Sequence, residues 1–352
     1  MTLSPSQIYT VEAVDLSTAS DDVLRELSGL HNEMARERVP EDPPVPFEVF
    51  ATRVRNRPKL MRMRDWLARA PDGRVVARGF VVRYEADTNQ HLREASVEVL
   101  PAHRRRNIAK MLFREIVAAG ETDEIVIEFF TNDRVPSGVA FLKRVGAKEK
   151  LTGHMNQLAL SAVDRAMVRD WAAIDPAGYR LAWIDADVPA ELMRNVIVAY
   201  DTMNTAPRGE TAMDDWNTTP EQIRDWDRSR RATGRERRLV LAIHKATGET
   251  AGYTELIYDP NVPHVIWQQG TAVVPAHRSQ GIGKWIKGAM LERALRDWPH
   301  ARLVRTGNAD SNAAMLAINT RLGFKPAWAQ SVWEISITDA RRYARGPELR
   351  RT

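Results

Sequence analysis

Hydrophobic and polar positions along the chain alternate between two patterns, one typical of strands and one typical of helices. Short apolar runs at 9–14 and 180–184 predict strands, and each run precedes a segment with apolar residues at helical spacing, at 22–36 and 190–203. Turn residues and a basic turn bound four further predicted strand regions: 74–84, 95–100, 239–258 and 269–274. Strands followed by helices in this order predict a mixed α/β sheet.

The chain contains an internal repeat. The motif VLPAHR at 99–104 recurs as VVPAHR at 273–278, which is 174 positions later. Downstream, KRVGA at 143–147 parallels TRLGF at 320–324, with a small drift in spacing. Two copies of one domain, fused head to tail, explain both matches.

The repeat predicts the domain boundaries. We expect an N-terminal domain at 1–161 and a C-terminal domain at 178–352, joined by a linking helix at 162–177 that stops before Asp175-Pro176. A chain of 352 residues suits two domains of ordinary size.

Composition excludes several kinds of site. The chain has no cysteine, which removes disulfides, thiolate nucleophiles and thiolate metal sites, and its eight histidines are scattered, so we expect no metal. A net charge of +5 over two domains is a weak argument for nucleic-acid binding. No apolar run approaches a membrane span, and the N-terminus lacks a leader pattern. We expect a cytoplasmic monomer or homodimer that binds neither nucleic acid nor membrane.

A glycine-containing turn in the second copy predicts a phosphate site. The predicted strand 271–274 runs into Arg278, Gly281 and Gly283, and a helix is predicted at 284–296. Glycines let the backbone approach a ligand, and the N–H groups at a helix start favour anions. Arg278 and Lys284 add positive charge on the same side.

The strand before this turn suits an extended ligand. Pro275 ends the strand's pairing, so the backbone groups of Val273 and Val274 are predicted to splay from a neighbouring strand and to meet an amide ligand. A pyrophosphate at the turn, with an amide-bearing arm along the strand, describes coenzyme A.

These segments resemble a known family, the GCN5-related N-acetyltransferases (GNAT). Arg278-x-x-Gly281-x-Gly283 is similar to the family's motif R/Q-x-x-G-x-G/A, and the segment with Asn308 and Asn312 before Leu322-Gly323-Phe324 is similar to its second signature. The resemblance covers roughly 190–324, and the repeat extends it over nearly the whole chain. The tandem arrangement resembles the two-domain acetyltransferases of actinobacteria.

The resemblance implies an α/β fold with two tandem GNAT-like domains, each a mixed, largely antiparallel twisted sheet flanked by helices. It implies acetyl-CoA as co-substrate. The residues expected to bind it are Val273, Val274, Arg278, Ser279, Gln280, Gly281, Ile282, Gly283, Lys284, Asn308 and Asn312. For Asn308 and Asn312, roles as turn and cap residues are the alternative.

The first copy departs from the motif. Arg104 and Ala109 satisfy it, but Asn107 stands where the first glycine belongs, and its side chain lies in the phosphate's path. We interpret this copy as degenerate and structural, with residual coenzyme A binding as the alternative, and assign catalysis to the second copy.

The catalytic groups are less defined. The family's tyrosine, which protonates the leaving thiolate, falls on Asn319, a residue able only to hydrogen-bond the sulfur or hold a water. A polar position on a helix is the alternative. Glu255, in an otherwise apolar strand, is the leading candidate for the general base, against a plain solvent-facing carboxylate; His264 and Glu334 are weaker candidates.

The acceptor site is predicted at 200–204 and 207–216. Four acidic residues there are candidates to attract a cationic amine: Asp201, Glu210, Asp214 and Asp215. An arginine cluster at 228–238 is interpreted as a solvated helix end, with contact to the coenzyme's 3′-phosphate or to the other domain as alternatives.

The predicted function is therefore acetyl transfer from acetyl-CoA to a primary amine of a small molecule, directly within a ternary complex. A non-catalytic acyl-CoA-binding or regulatory protein is the main alternative. A nucleic-acid binder built on the arginine cluster is the third hypothesis.

Overall fold

The computed structural model describes residues 9–121 and 125–346. Residues 1–8, on which the leader prediction partly rests, lie outside the described residues. The chain forms two compact units, and each takes segments from both repeats. Of the described residues, unit 1 comprises 9–121, 125–152, 210–214 and 330–346, and unit 2 comprises 153–209 and 215–329.

Unit 1 is built on a sheet with the order β1-β2-β3-β4-β5-β12. Its strands are β1 (Thr10–Val14), β2 (Met61–Arg69), β3 (Val75–Tyr84), β4 (Leu92–Val99), β5 (Val126–Asn132) and the end of β12 (Lys325–Ser336). Its helices are α1 (Asp21–Arg38), α2 (Phe47–Arg55), α3 (Ile108–Ala118), α4 (Pro136–Val145) and α10 (Ile337–Arg345). Only β4 and β5 pair in parallel, and the other neighbours are antiparallel.

Unit 2 repeats this plan with the order β6-β11-β10-β9-β8-β7. Its strands are the end of β6 (Lys148–Ala159), β7 (Tyr179–Ile184), β8 (Glu236–His244), β9 (Thr250–Tyr258), β10 (Val265–Val273) and β11 (Leu303–Ala309). Its helices are α5 (Arg165–Ala172), α6 (Met193–Asp201), α7 (Pro220–Ala232), α8 (Ile282–Asp297) and α9 (Ala313–Leu322). Here β10 and β11 form the parallel pair.

The compact units differ from the contiguous domains that the repeat suggests. Residues 153–159 pair antiparallel with β11 and complete the sheet of unit 2, whereas residues 330–336 pair with β5 and complete the sheet of unit 1. Strand pairing depends on contacts between distant segments, which a local pattern does not record.

The segment 162–177, expected to link two domains, lies within unit 2. Its helix α5 packs on α8, and Val168 and Trp171 belong to the core of that unit. Gly288 allows this close packing, because a Cβ there would lie 2.5 Å from the Cβ of Trp171. The helix is thus part of the fold around the candidate site.

Candidate functional site

The turn between β10 and α8 has a main-chain geometry typical of an anion-binding site. Ser279 (φ 63°) and Gly281 (φ 80°) are both left-handed, and α8 begins at Ile282 without a side-chain cap. The N–H of Trp285 bonds to the oxygen of Gly281 across the first turn, so the N–H groups of 282–284 remain at the helix start. Together with the helix dipole, these donors favour a phosphate group.

Strand β10 separates from β11 beside this turn. The two strands pair only over 265–267 and 303–305, so the splay begins after Trp267, earlier than Pro275 alone indicates. A bulge between Gln268 and Thr271 interrupts the pairing of β10 with β9 at the same level.

The splay directs one backbone donor away from β9. The N–H of Val274 bonds to the oxygen of Ala251, 2.8 Å away, which makes Val273 and Gly252 a non-hydrogen-bonded pair. The N–H of Val273 therefore points away from β9, into the gap where β10 has separated from β11.

A cavity of about 720 Å³ lies along the turn and the splayed strand, within unit 2. Eight of the predicted cofactor-binding residues line it: Val273, Arg278, Ser279, Gly281, Ile282, Gly283, Lys284 and Asn312. Asn312 also caps α9, accepting a hydrogen bond from the N–H of Met315, which is the cap role considered for it. Its role in cofactor binding stays a prediction. Thr202, Met203 and Pro207 of the predicted acceptor segments form another part of its wall, together with Thr205 and Ala206, which were not predicted.

Three predicted residues do not line this cavity: Val274, Gln280 and Asn308. The backbone of Val274 is used in strand pairing, and the side-chain oxygen of Gln280 accepts a hydrogen bond from Tyr179. Asn308 lies on β11, beyond the last residue that pairs with β10.

The side chain of Arg278 connects the turn to Thr205, on another part of the cavity wall. Its Nε donates to the oxygen of Val273 at 3.0 Å, and its terminal nitrogen donates to Oγ1 of Thr205 at 2.8 Å. These two hydrogen bonds of Arg278 therefore stabilise the wall of the cavity. The sequence motif predicted the charge of Arg278 but not this bridge.

Glu255 is buried beside the bulge and does not line the cavity. Its register position on β9 faces the extra residue of β10, and Tyr200 donates its hydroxyl to Oε1 at 3.2 Å. Arg237 lies 3.8 Å from the same oxygen. Burial raises the pKa of Glu255, and Arg237 offsets part of that rise. The alternative of a solvent-facing carboxylate is wrong, since only 9% of the residue is exposed.

Asn319 is also buried, with both ends of its amide engaged. Its oxygen accepts from Nζ of Lys287 at 2.6 Å, and its nitrogen donates to the oxygen of Asn308 at 2.9 Å. Burial lowers the pKa of Lys287 to about 7. Reasoning from the motif missed Lys287, although the repeat places Phe113 at the equivalent position and so marks it as a core site.

Several weaker predictions fall elsewhere. The four acidic residues proposed to attract an amine do not line the cavity, and two of them, Glu210 and Asp214, belong to unit 1. Glu334 also belongs to unit 1, where it accepts from the N–H of Ala212. His264 is not a lining residue either.

The arginine cluster at 228–238 is not a solvated helix end. Arg237 is 3% exposed and pairs with Asp227 at 2.8 Å, and Arg230 pairs with Asp187 at 2.8 Å. Further pairs join three other arginines of the cluster to aspartates: Arg228–Asp225, Arg231–Asp187 and Arg238–Asp297. The interpretation as a solvated helix end failed because two of the partners, Asp187 and Asp297, lie far from the cluster along the chain.

The equivalent turn of unit 1 keeps the same backbone shape without glycine. Arg105 (φ 62°) and Asn107 (φ 68°) stand where Ser279 and Gly281 stand in unit 2. Arg104, unlike Arg278, forms an ion pair with Glu37. The loss of the glycine has therefore not changed the path of the chain.

Comparison with known proteins gives a family match over the segment that contains this site. Residues 200–324 match the model of the acetyltransferase (GNAT) family, and this range contains the turn, the splay and both asparagines. The chain contains a GNAT-family acetyltransferase domain. No curated protein matches the chain.

Solved structures extend the GNAT likeness over nearly the whole chain. A tandem GNAT protein from the clavulanic acid biosynthesis pathway matches with a TM-score of 0.76 and 26% identity, covering 93% of this chain and 99% of that one. A GCN5-related N-acetyltransferase from Sphaerobacter thermophilus matches with a TM-score of 0.62 and 13% identity, covering 96% and 97%. The second match concerns the fold alone. The predicted tandem GNAT fold is confirmed.

Among residues 9–121 and 125–346, no helix is long and apolar enough to cross a membrane. Within the same residues, no group of three or more metal-ligating side chains is placed to hold an ion.

Proposed function

We propose that unit 2 of this GNAT protein transfers an acetyl group from acetyl-CoA to a primary amine of a small molecule. The observation that carries the proposal is the continuity of three features in one cavity: the left-handed turn, the open start of α8 and the splayed β10. The first two suit a pyrophosphate, and the third suits the amides of a pantetheine arm.

Direct transfer fits the residues around the splay. The N–H of Val273 is positioned to polarise the thioester carbonyl, and the buried carboxylate of Glu255 is the candidate to accept the proton of the amine. Attack forms the C–N bond and breaks the C–S bond, so the electron pair leaves with the sulfur. Positioning of the two substrates supplies much of the acceleration in such a mechanism.

The proposal is tested with the full chain, acetyl-CoA and a panel of small primary amines, with their tertiary analogues as controls. We expect acetyl-CoA to bind with micromolar affinity in calorimetry, and at least one primary amine, but no tertiary one, to release free thiol. Binding without thiol release from any amine would favour the non-catalytic alternative. Absence of acetyl-CoA binding would overturn the proposal.

The role of Glu255 is tested by Glu255→Gln. We expect thiol release to fall by about 10²–10⁴-fold with little change in acetyl-CoA affinity. In the unchanged protein, activity should rise with pH through a value above the ordinary 4.5 of a glutamate, since burial raises the pKa of Glu255 and only the ionised form accepts a proton. This acid limb should disappear in Glu255→Gln.

The matched control is Glu249→Gln, at the exposed turn before β9. We expect this variant to keep both the rate and the acid limb. If Glu255→Gln kept the wild-type rate and pH profile, Glu255 would not be the base.

A further inference from the structure

Unit 2 buries a lysine that its fold does not require. Lys287 is 4% exposed, and its Nζ donates to Oδ1 of Asn319 and lies 5.4 Å from the ring centroid of Phe324. Removing an amine from water is unfavourable, and a buried lysine therefore tends to lose its proton. Such a residue needs an explanation beyond packing.

The internal repeat supplies a comparison. The offset that aligns the two basic turns places Phe113 at the position of Lys287, and alignment on the glycines that end α4 and α9 places Leu142 at the position of Asn319. Both residues of unit 1 belong to its hydrophobic core. The same fold is thus built with an apolar pair, so the polar pair of unit 2 serves another purpose.

The hydrogen bonding of Lys287 and Asn319 extends to further side chains. Nδ2 of Asn319 donates to Oδ1 of Asn308 at 2.9 Å, and Nδ2 of Asn156 donates to the same oxygen at 3.3 Å. Because the amide oxygen of Asn308 accepts from both, its NH₂ group faces away from them. Lys287 thereby sets the direction of each amide in turn.

This series of hydrogen-bonded side chains lies next to the residues that line the cavity. Gly283 and Ile318 line the cavity, Lys287 follows Gly283 by one turn of α8, and Asn319 follows Ile318 on α9. Asn308 stands on β11 past Arg305, the last residue that pairs with β10. The outer end of this series of side chains therefore lies on the part of β11 that has separated from β10, beside the position proposed for the thioester.

We propose that Lys287 is a positioning residue of the acyl-transfer site: through Asn319 it fixes the amide of Asn308 so that its hydrogens face the splay and donate to the sulfur leaving the thioester. This inference rests on the proposed function. As the C–N bond forms and the C–S bond breaks, the electron pair moves to sulfur, and the resulting thiolate accepts the hydrogen bond from Asn308. The amine proton goes to Glu255, so no further reactant is needed.

The test measures the ionisation of the thiol of bound coenzyme A, followed by the ultraviolet absorbance of the thiolate against pH. We expect the wild-type protein to favour the thiolate about tenfold relative to free coenzyme A, as a charge-assisted hydrogen bond provides. Lys287→Met should lose this preference and keep the affinity for desulfo-coenzyme A, which lacks the sulfur. Lys245→Met, at an exposed position in the same unit, is the matched control and should behave as wild type.

A second variant guards against a folding defect. Lys287→Phe combined with Asn319→Leu rebuilds the apolar pair of unit 1 and should lose the thiolate preference to the same extent. This inference is overturned, while the proposed function stands, if the thiol of coenzyme A bound to the wild-type protein has the same pKa as in free coenzyme A. The same conclusion follows if Lys287→Met and Lys245→Met behave alike. If coenzyme A does not bind at all, the proposed function itself has failed.

Discussion

Replacing Lys287 by methionine is expected to stabilise unit 2 by about 2–4 kcal/mol at pH 7. A lysine with an ordinary pKa of 10.5 that burial lowers to about 7 destabilises the folded state by up to about 5 kcal/mol at neutral pH. Methionine fills a similar volume without charge. The gain is smaller than the upper limit because Oδ1 of Asn319 loses its donor, which costs about 1–3 kcal/mol.

The pH dependence has a defined sign. Between about pH 7 and 10.5 the unfolded lysine holds a proton that the folded one has lost, so the free energy of unfolding should rise with pH across this window. Below about pH 7 both states are protonated, and Lys287 contributes no further slope. The variant Lys287→Met should lack this contribution between pH 7 and 10.5.

The measurement is hydrogen exchange of the amides in α8 and α9 at several pH values, with urea unfolding as a second probe. Hydrogen exchange isolates unit 2 from unit 1, which a single unfolding curve does not. A destabilised Lys287→Met with an unchanged pH slope would contradict the prediction. It would mean that the folded protein keeps the amine charged.

The second large effect is expected for Gly281→Glu, which should weaken acetyl-CoA binding by at least about 100-fold. Gly281 has a φ of 80°, so a side chain there strains the turn by about 1–2 kcal/mol. The carboxylate would also place a negative charge at the start of α8, where the phosphates are proposed to bind. Both effects act on the same few N–H groups, and calorimetry with acetyl-CoA measures their sum.

A matched control separates an effect located at the turn from a general effect of strain or net charge. Gly248 has a φ of 72°, and no atom lies within 4 Å of a Cβ built there, so Gly248→Glu adds comparable strain and the same charge away from the cavity. We expect it to lower stability slightly and to leave acetyl-CoA binding unchanged. Equal losses of binding in the two variants would show that strain or net charge, not the turn itself, governs affinity.

Elements defined by local signals were predictable from the sequence. The expected helix at 22–36 is α1 at Asp21–Arg38, and the expected strand at 74–84 is β3 at Val75–Tyr84. The turn at Gly281 was predictable for the same reason, because the conformation of a few consecutive residues depends mainly on those residues.

The candidate site was only partly predictable. Eight predicted residues line the cavity, but the bridge from Arg278 to Thr205 and the pairing of Arg230 with Asp187 join segments far apart in sequence. Spacing within a motif contains no information about such partners. The buried state of Glu255 likewise depends on Tyr200 from another element.

The sequence by itself determined the repeat, the order of strands and helices and the glycine turn on which we base the proposal that unit 2 is the functional copy. Tertiary structure alone decided that residues 153–159 and 330–336 complete the sheets of different units, and that Lys287, Asn319 and Asn308 form one buried chain. The physical reason is that backbone conformation responds to neighbours in sequence, whereas burial, pairing and the ionisation of a side chain respond to neighbours in space.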